Sequence, residues 1–318
     1  MSNLGACNFY LGIEIIRDRK NKILYLSQQA YIQKLLDKLG LNNLYPVNTP
    51  MEEGLELLPN LEDSSSITQY YRSIIGSLLY LSLGTRIDII FATIRLVKYM
   101  SNPSKTHLKA LIRVLKYLKG TKDYVLTYRG QNNGPNTGLD KDFNSPDNNP
   151  DNSLIKPCLI GYSDADWVGD KLDRKSTSGY AFFINNSLIS WSTKKQPVIA
   201  LSSCESEYIA LTHASKELIW LRLLLEELGY KQGPNSLLVD NQASISLANN
   251  PVNHATAKHI DIRYHFIRDQ LDKDIISLEY VPTHMQLADG FTKALPKTKF
   301  QEWVKNLGLI KYQTAIKK

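Results

Sequence analysis

Four carboxylates stand where a fold could gather them. Asp164 closes an apolar run in Gly161-Tyr-Ser-Asp-Ala-Asp-Trp167, and Glu207 opens a long helical pattern. Asp240 closes Ser236-Leu-Leu-Val-Asp240, and Asp289 stands in Gln286-Leu-Ala-Asp289. Helical steps forward from Glu207 meet Leu211, Ala214, Leu218 and Leu221, which places it on the face that packs against a sheet. An ionised carboxylate there is costly unless it is paired or bound to metal. Clustered carboxylates also raise one another's pKa. Two Mg²⁺ ions about 4 Å apart would hold four such acids ionised, and would clamp the attacking and leaving oxygens of a phosphodiester displacement. No Ser or Cys nucleophile is then required. A single acid at a strand end is otherwise a cap or turn residue, and Asp166 and Asp170 are read that way.

The elements that must position these acids follow from the pattern. Pro157 to Asp164, Gly179 to Ile184 and Ser187 to Ser192 read as three consecutive strands. Ser202-Ser-Cys-Glu205 fits a capping box that starts a helix running to Leu228. That helix carries Leu211, Ala214, Leu218, Leu221, Leu225 and Leu228 on one face. A strand to Asp240, a short helix, a helix over about 259–271, a strand from Ile275 to Val281 and one or two terminal helices to about Leu309 complete this half. Three strands followed by alternating helix and strand predict a mixed α/β sheet flanked by helices.

The first half opens differently. Asn8 to Ile16 and Ile23 to Ser27 flank the polar turn Asp18-Arg-Lys-Asn-Lys22, a hairpin signal. A helix over about 28–39 ends at Gly40, and helices are predicted over about 68–83, 86–101 and 104–119. On the last, Lys105, Lys109, Arg113 and Lys116 line one face. They form either a track for phosphates or a solvated helix surface. Asn-rich sequence separates the halves, so the expected organisation is 1–130, a linker at 131–153, and 154–318.

The 318 residues suffice for two cores, and the net charge of +7 favours a polyanionic partner. Cys7, Cys158 and Cys204 show no zinc spacing, which suggests reduced thiols. The start lacks the features of a secretory signal, and the run Ile74 to Leu83 is too short and broken to span a membrane. A cytoplasmic or nuclear setting is expected rather than secretion.

The second half resembles the ribonuclease H domain of copia-type LTR retrotransposon Pol polyproteins. The resemblance rests on Tyr162-Ser-Asp-Ala-Asp-Trp167, Asp173-Arg-Lys-Ser-Thr-Ser-Gly-Tyr180 and Ile189-Ser-Trp-Ser-Thr-Lys-Lys-Gln196. It continues through Leu201-Ser-Ser-Cys-Glu-Ser-Glu-Tyr-Ile-Ala-Leu211, Lys258-His-Ile-Asp-Ile262 and Gln286-Leu-Ala-Asp289. The first half resembles the end of the same polyprotein's reverse transcriptase. Tyr10-Leu-Gly-Ile13 is similar to the primer-grip hairpin, and Tyr71 to Leu81, Thr85-Arg-Ile-Asp88 and Leu115 to Thr121 match the thumb and connection helices. The resemblance implies a ribonuclease H-like five-stranded mixed sheet, preceded by a mostly helical segment with an N-terminal hairpin. It implies Asp164, Glu207, Asp240 and Asp289 as catalytic acids and ligands of two Mg²⁺ ions, with Mn²⁺ as a substitute. The implied reaction hydrolyses the RNA strand of an RNA–DNA hybrid, leaving 5′-phosphate and 3′-hydroxyl ends. Other Pol and Gag products are implied partners, and a virus-like particle is the implied setting if the element is active. Oligomeric state is left open.

Departures from the family pattern set the alternatives. The reverse transcriptase's Tyr-x-Asp-Asp hairpin belongs upstream of Tyr10, so no polymerase activity is expected. Ile87 stands where Pro is usual, Ala255-Thr-Ala257 replaces a segment that usually carries a basic residue, and Gly290 replaces a larger apolar residue after the fourth acid. The competing reading is therefore an inactive relic or a nucleic-acid-binding fragment. Lys194 and Lys195 read as phosphate contacts or plain surface charge, and His284 as an aid to proton transfer or product release. Trp167 and Trp191 are read as packing residues. His254, His259 and His265 lack the Cys partners or tight spacing of a zinc site.

Overall fold

The computed structural model describes residues 5–62, 65–130, 158–170, 172–249 and 258–312. The Asn-rich linker and Ala255-Thr-Ala257 lie outside them. The chain divides into two units, Met1–Tyr128 with Lys293–Lys318, and Arg129–Thr292.

The first unit begins with strands β1 (Phe9–Tyr10), β2 (Ile13–Asp18) and β3 (Ile23–Ser27). The polar turn between β2 and β3 closes because the Asp18 carboxylate accepts the Asn21 backbone N–H at 3.0 Å and its side-chain amide at 2.6 Å. Helix α1 (Gln29–Lys38) ends at Gly40, whose φ of +66° costs little without a Cβ. Helix α2 (Ser65–Gly84) follows, then a 3-10 turn (Ile87–Ile89), α3 (Ile90–Val97), α4 (Lys105–Gly120) and strand β4 (Tyr124–Arg129). Near the C-terminus, α9 (Lys297–Asn306) leads into β10 (Leu309–Lys311).

Three features of this unit differ from the sequence expectation. First, the hairpin belongs to a five-stranded sheet of order β1-β2-β3-β4-β10. Second, residues after 292 join this unit instead of the 154–318 segment, because β10 pairs antiparallel with β4, Leu309 opposite Leu126. Third, the helix over 86–101 is broken. Arg86 has φ −99° and ψ 59°, outside the helical region, and its guanidinium turns into the core. There it forms a fully buried fork with Asp88, Nε–Oδ1 3.0 Å and Nη2–Oδ2 2.7 Å. It also donates to the Thr121 carbonyl and hydroxyl, at 3.0 and 2.6 Å. The Tyr117 hydroxyl donates to Asp88 at 2.6 Å. The motifs Thr85–Asp88 and Leu115–Thr121 thus meet in one structural network. Ile87 opens the 3-10 turn, a first-turn position at which Pro is also tolerated.

The second unit is the expected ribonuclease H-like mixed sheet. Its strands are β5 (Leu159–Asp166), β6 (Thr177–Ile184), β7 (Ser187–Lys195), β8 (Asn235–Val239) and β9 (Ile276–Tyr280). Their order is β7-β6-β5-β8-β9. The β5–β6 and β6–β7 pairs are antiparallel, while β5–β8 and β8–β9 are parallel. Helix α5 (Ser203–Glu227) crosses between β7 and β8 and packs on β5 and β6. Helices α6 (Gln242–Asn249), α7 (Lys258–Asp272) and the short α8 (Asp289–Thr292) complete the unit. Phe182, Leu211, Leu218, Leu237 and Ile267 are completely buried in its core, each side chain worth roughly 1.5–3 kcal/mol. Leu228 is the exception on the predicted α5 stripe. It caps the helix C-terminus and is exposed.

Candidate metal centre

Asp164, Asp240 and Asp289 meet. Each offers a carboxylate oxygen, and these atoms lie within 4.8 Å of one another. Asp164 comes from β5, at 2% exposure, and Asp240 follows directly on the last residue of β8. Because β5 and β8 run parallel, with Tyr162 beside Leu238, both strands deliver an acid toward the same edge of the sheet. Asp289 is the first residue of α8 and is wholly buried.

Close packing brings α8 to the sheet. Gly179 on β6 stands opposite Asp164, and a Cβ there would fall 2.8 Å from both Phe291 Cβ and Thr292 Cγ2. The Thr193 hydroxyl donates to the Phe291 carbonyl at 2.8 Å. The Thr292 hydroxyl donates to the Asp164 carboxylate. None of these three residues stood out in the sequence as a support, although Gly179 and Thr193 fall inside the quoted motifs.

Glu207 stands outside the group of three. It lies in the first turns of α5 at 7% exposure, on the predicted inward face. Its helix start is well fixed. The Ser202 hydroxyl accepts the Glu205 N–H at 3.1 Å, while the Glu205 carboxylate accepts the Leu201 N–H at 2.7 Å, one residue before the position a capping box predicts. Gln196 donates to the Ser206 carbonyl and the Ser178 hydroxyl, both at 2.9 Å, so α5 is held to β6 one residue from Gly179. Burial, and then the charges of Glu207 and Glu205, push the Cys204 thiol up.

The predicted basic contacts divide. Lys194 is exposed. Lys195 pairs with both Asp170 and Asp173 at 2.5 Å, so its charge closes a loop. Burial opposes ionisation of Asp173, but hydrogen bonds from Lys195 and the Lys175 N–H outweigh it and hold the carboxyl below its usual range. Asp170 also accepts the Leu172 N–H at 3.1 Å, the turn role expected of it. On α4, Lys105 and Lys109 are exposed and Lys116 is half-buried. Arg113 is paired to Glu52 at 2.6 Å and donates to Thr49 at 3.1 Å. His284 is exposed on a 3-10 turn (Thr283–Met285). Trp167, expected to pack, is 48% exposed, with its indole N–H on the Ala200 carbonyl at 3.2 Å.

No family model matches the chain. Over 307 residues, 95% of its length, it is 36% identical to the retrovirus-related Pol polyprotein from transposon TNT 1-94 of Nicotiana tabacum. Over 305 residues, also 95%, it is 39% identical to the corresponding polyprotein from transposon RE1 of Arabidopsis thaliana. The chain belongs to the Pol polyproteins of copia-type retrotransposons. This Pol chain covers 21% and 19% of those two relatives, about a fifth of their length. Among solved structures, LC11-RNase H1 in complex with RNA/DNA hybrid aligns with 42% of the Pol chain and 93% of its own, at 15% identity and a TM-score of 0.33. Among the described residues of the Pol chain, no helix is long and apolar enough to cross a membrane.

Proposed function

We propose that the second unit is a divalent-metal-dependent endonuclease acting on the RNA strand of RNA–DNA hybrids, within a retrotransposon Pol. The observation that carries this reading is the convergence of Asp164, Asp240 and Asp289 within 4.8 Å. Three like charges so close, two of them on almost fully buried residues, are costly without a counter-charge. An all-oxygen donor set suits Mg²⁺ or Mn²⁺. Asp164, Asp240 and Asp289 would hold the metal, and Glu207 is the fourth carboxylate of the reading. Bound Mg²⁺ supplies Lewis acidity at phosphorus and a more acidic water.

The chain's own residues do the rest. Asp164 and Asp289 are fixed by burial, while Asp240 is half-buried and marks the side from which a scissile phosphate enters. Lys194 is exposed, and in this reading it would meet backbone phosphates. Recognition then rests on groove shape and 2′-hydroxyls rather than base edges. The intact polyprotein supplies the other Pol and Gag partners of this reading.

Substrate choice tests it. Purified protein in Mg²⁺ is offered end-labelled RNA–DNA hybrid, DNA duplex and single-stranded RNA. Cleavage confined to the RNA of the hybrid, with 5′-phosphate ends, supports the proposal. Preferential cutting of DNA duplex would point instead to an integrase-like or resolvase-like nuclease. Binding of hybrid without cleavage would mark the chain as a relic.

A further inference from the structure

We infer that Gln286 is a positioning residue that sets the spacing between Asp164 and Asp289, and through it the affinity of the site for metal. The inference rests on the proposed metal site. Gln286 is 3% exposed and touches both acids' neighbours. Its side-chain N–H donates to the carbonyl of Ser163, the residue before Asp164, at 3.0 Å. Its side-chain oxygen accepts from the N–H of Ala288, the residue before Asp289, at 3.0 Å. Its own carbonyl accepts the Asp289 N–H at 3.4 Å. One amide thus spans two backbones distant in sequence, at positions adjacent to two carboxylates that must stay close.

The surrounding pairing shows why a brace is needed there. The parallel β5–β8 ladder pairs Ile160–Tyr162 with Ser236–Leu238. Ser163 is one residue past the end of that pairing, and Gln286 takes its carbonyl. After β9 the chain passes Val281, whose N–H still bonds the Val239 carbonyl at 3.0 Å, and reaches Gln286 through the Thr283–Met285 turn. The two ends of the amide are chemically distinct, one donor and one acceptor, so the contact also fixes which way the Leu287–Ala288 segment faces. Gln196, another buried amide of this unit, ties helix to strand. Gln286 ties acid-bearing segment to acid-bearing segment.

The test uses the full chain and Mg²⁺ alone as probe, by calorimetric titration of wild type, Gln286→Met and Gln286→Glu. Gln286→Met keeps the volume and loses both hydrogen bonds. Gln286→Glu keeps the acceptor for Ala288 and loses the donor to Ser163. Leu218→Ala serves as a destabilised control, since Leu218 lies in the core of the same unit. Outer partners of metal ligands typically change affinity 10–100-fold. Both Gln286 variants are therefore expected to stay folded by circular dichroism and to bind Mg²⁺ about tenfold or more weakly. Leu218→Ala is expected to bind it as wild type does. On hybrid, the loss is expected in kcat with KM nearly unchanged. Folded Gln286 variants binding Mg²⁺ within about twofold of wild type would overturn the inference, and so would an equal loss in Leu218→Ala. If wild type itself binds no Mg²⁺, the metal-site reading fails instead, so the two failures are distinguishable.

Discussion

Gly179 stands directly opposite Asp164 across the β5–β6 pair, and its missing side chain is the space into which α8 packs. The Phe291 and Thr292 side chains would lie 2.8 Å from a Cβ at that position, and the Ala288 carbonyl 3.3 Å. A methyl group can be accommodated only by moving the helix that begins with Asp289. Gly179→Ala is therefore expected to lower stability by about 1–3 kcal/mol through overpacking and to weaken Mg²⁺ binding at the same time. Thermal denaturation and metal titration on the same preparation check this. Unchanged metal binding would show that α8 tolerates the shift.

The buried Arg86–Asp88 pair predicts a different kind of loss. Removing one partner leaves an uncompensated charge in the core, which costs about 3–5 kcal/mol. Arg86→Met should therefore lower the urea midpoint of the first unit strongly. The double variant Arg86→Met, Asp88→Asn should recover part of the loss. A double variant no better than the single would refute the stranded-charge explanation.

His107 predicts pH dependence. It is buried, its Nδ1 accepts the Ser104 N–H at 2.9 Å, and its ring stacks on Tyr99. Burial holds its pKa below the usual value, with the Leu58 carbonyl pulling the other way. His213 is likewise depressed, by burial and then by the Lys194 charge. Both rings resist protonation in the folded state more than in the unfolded one, so the unfolded chain takes up protons first as pH falls. Stability is thus complete above the ordinary histidine range, near pH 6.5, and declines as pH drops below it. His107→Gln preserves an acceptor for the Ser104 N–H and should flatten that decline for the first unit. An unchanged slope in denaturation midpoints between roughly pH 7 and 5 would exclude His107 as the source.

The neighbours Lys194 and Lys195 should behave differently. Exposed Lys194 is expected to contribute one phosphate contact, so Lys194→Ala weakens hybrid binding and reduces the salt slope by about 1. Lys195 closes the loop carrying Asp170 and Asp173. Lys195→Ala should leave the salt slope nearly intact while exposing that loop to protease. Equal slopes for the two variants would contradict the assignment.

The periodic parts of this chain were legible. The stripe from Leu211 to Leu225 located α5 and the inward face of Glu207, and strand-like runs located the five strands of the second unit. β10 was not legible. It is three residues long and gains its meaning only by pairing with β4, far away in sequence. The motif Thr85–Asp88 could be seen but not interpreted, since its guanidinium answers to Thr121 and its carboxylate to Tyr117, both distant in sequence. Lys195 read as a phosphate contact or plain surface charge, because its acidic partners Asp170 and Asp173 sit across a loop. For the site, each acid could be named from its motif. The supports Gly179, Thr193, Gln286 and Thr292 could not, because their task is defined by contacts between segments.

The most direct test of the central claim compares wild type with Asp240→Asn on labelled RNA–DNA hybrid in Mg²⁺, with hybrid binding and folding measured alongside. Asp240 is the least buried of the three converging acids, so its amide variant should fold normally. The account predicts that wild type cuts the RNA strand, while Asp240→Asn binds hybrid equally but loses several kcal/mol of transition-state stabilisation, about tenfold in rate per 1.4 kcal/mol. Equal cleavage by the two proteins, or equal inertness while both bind hybrid, would contradict it.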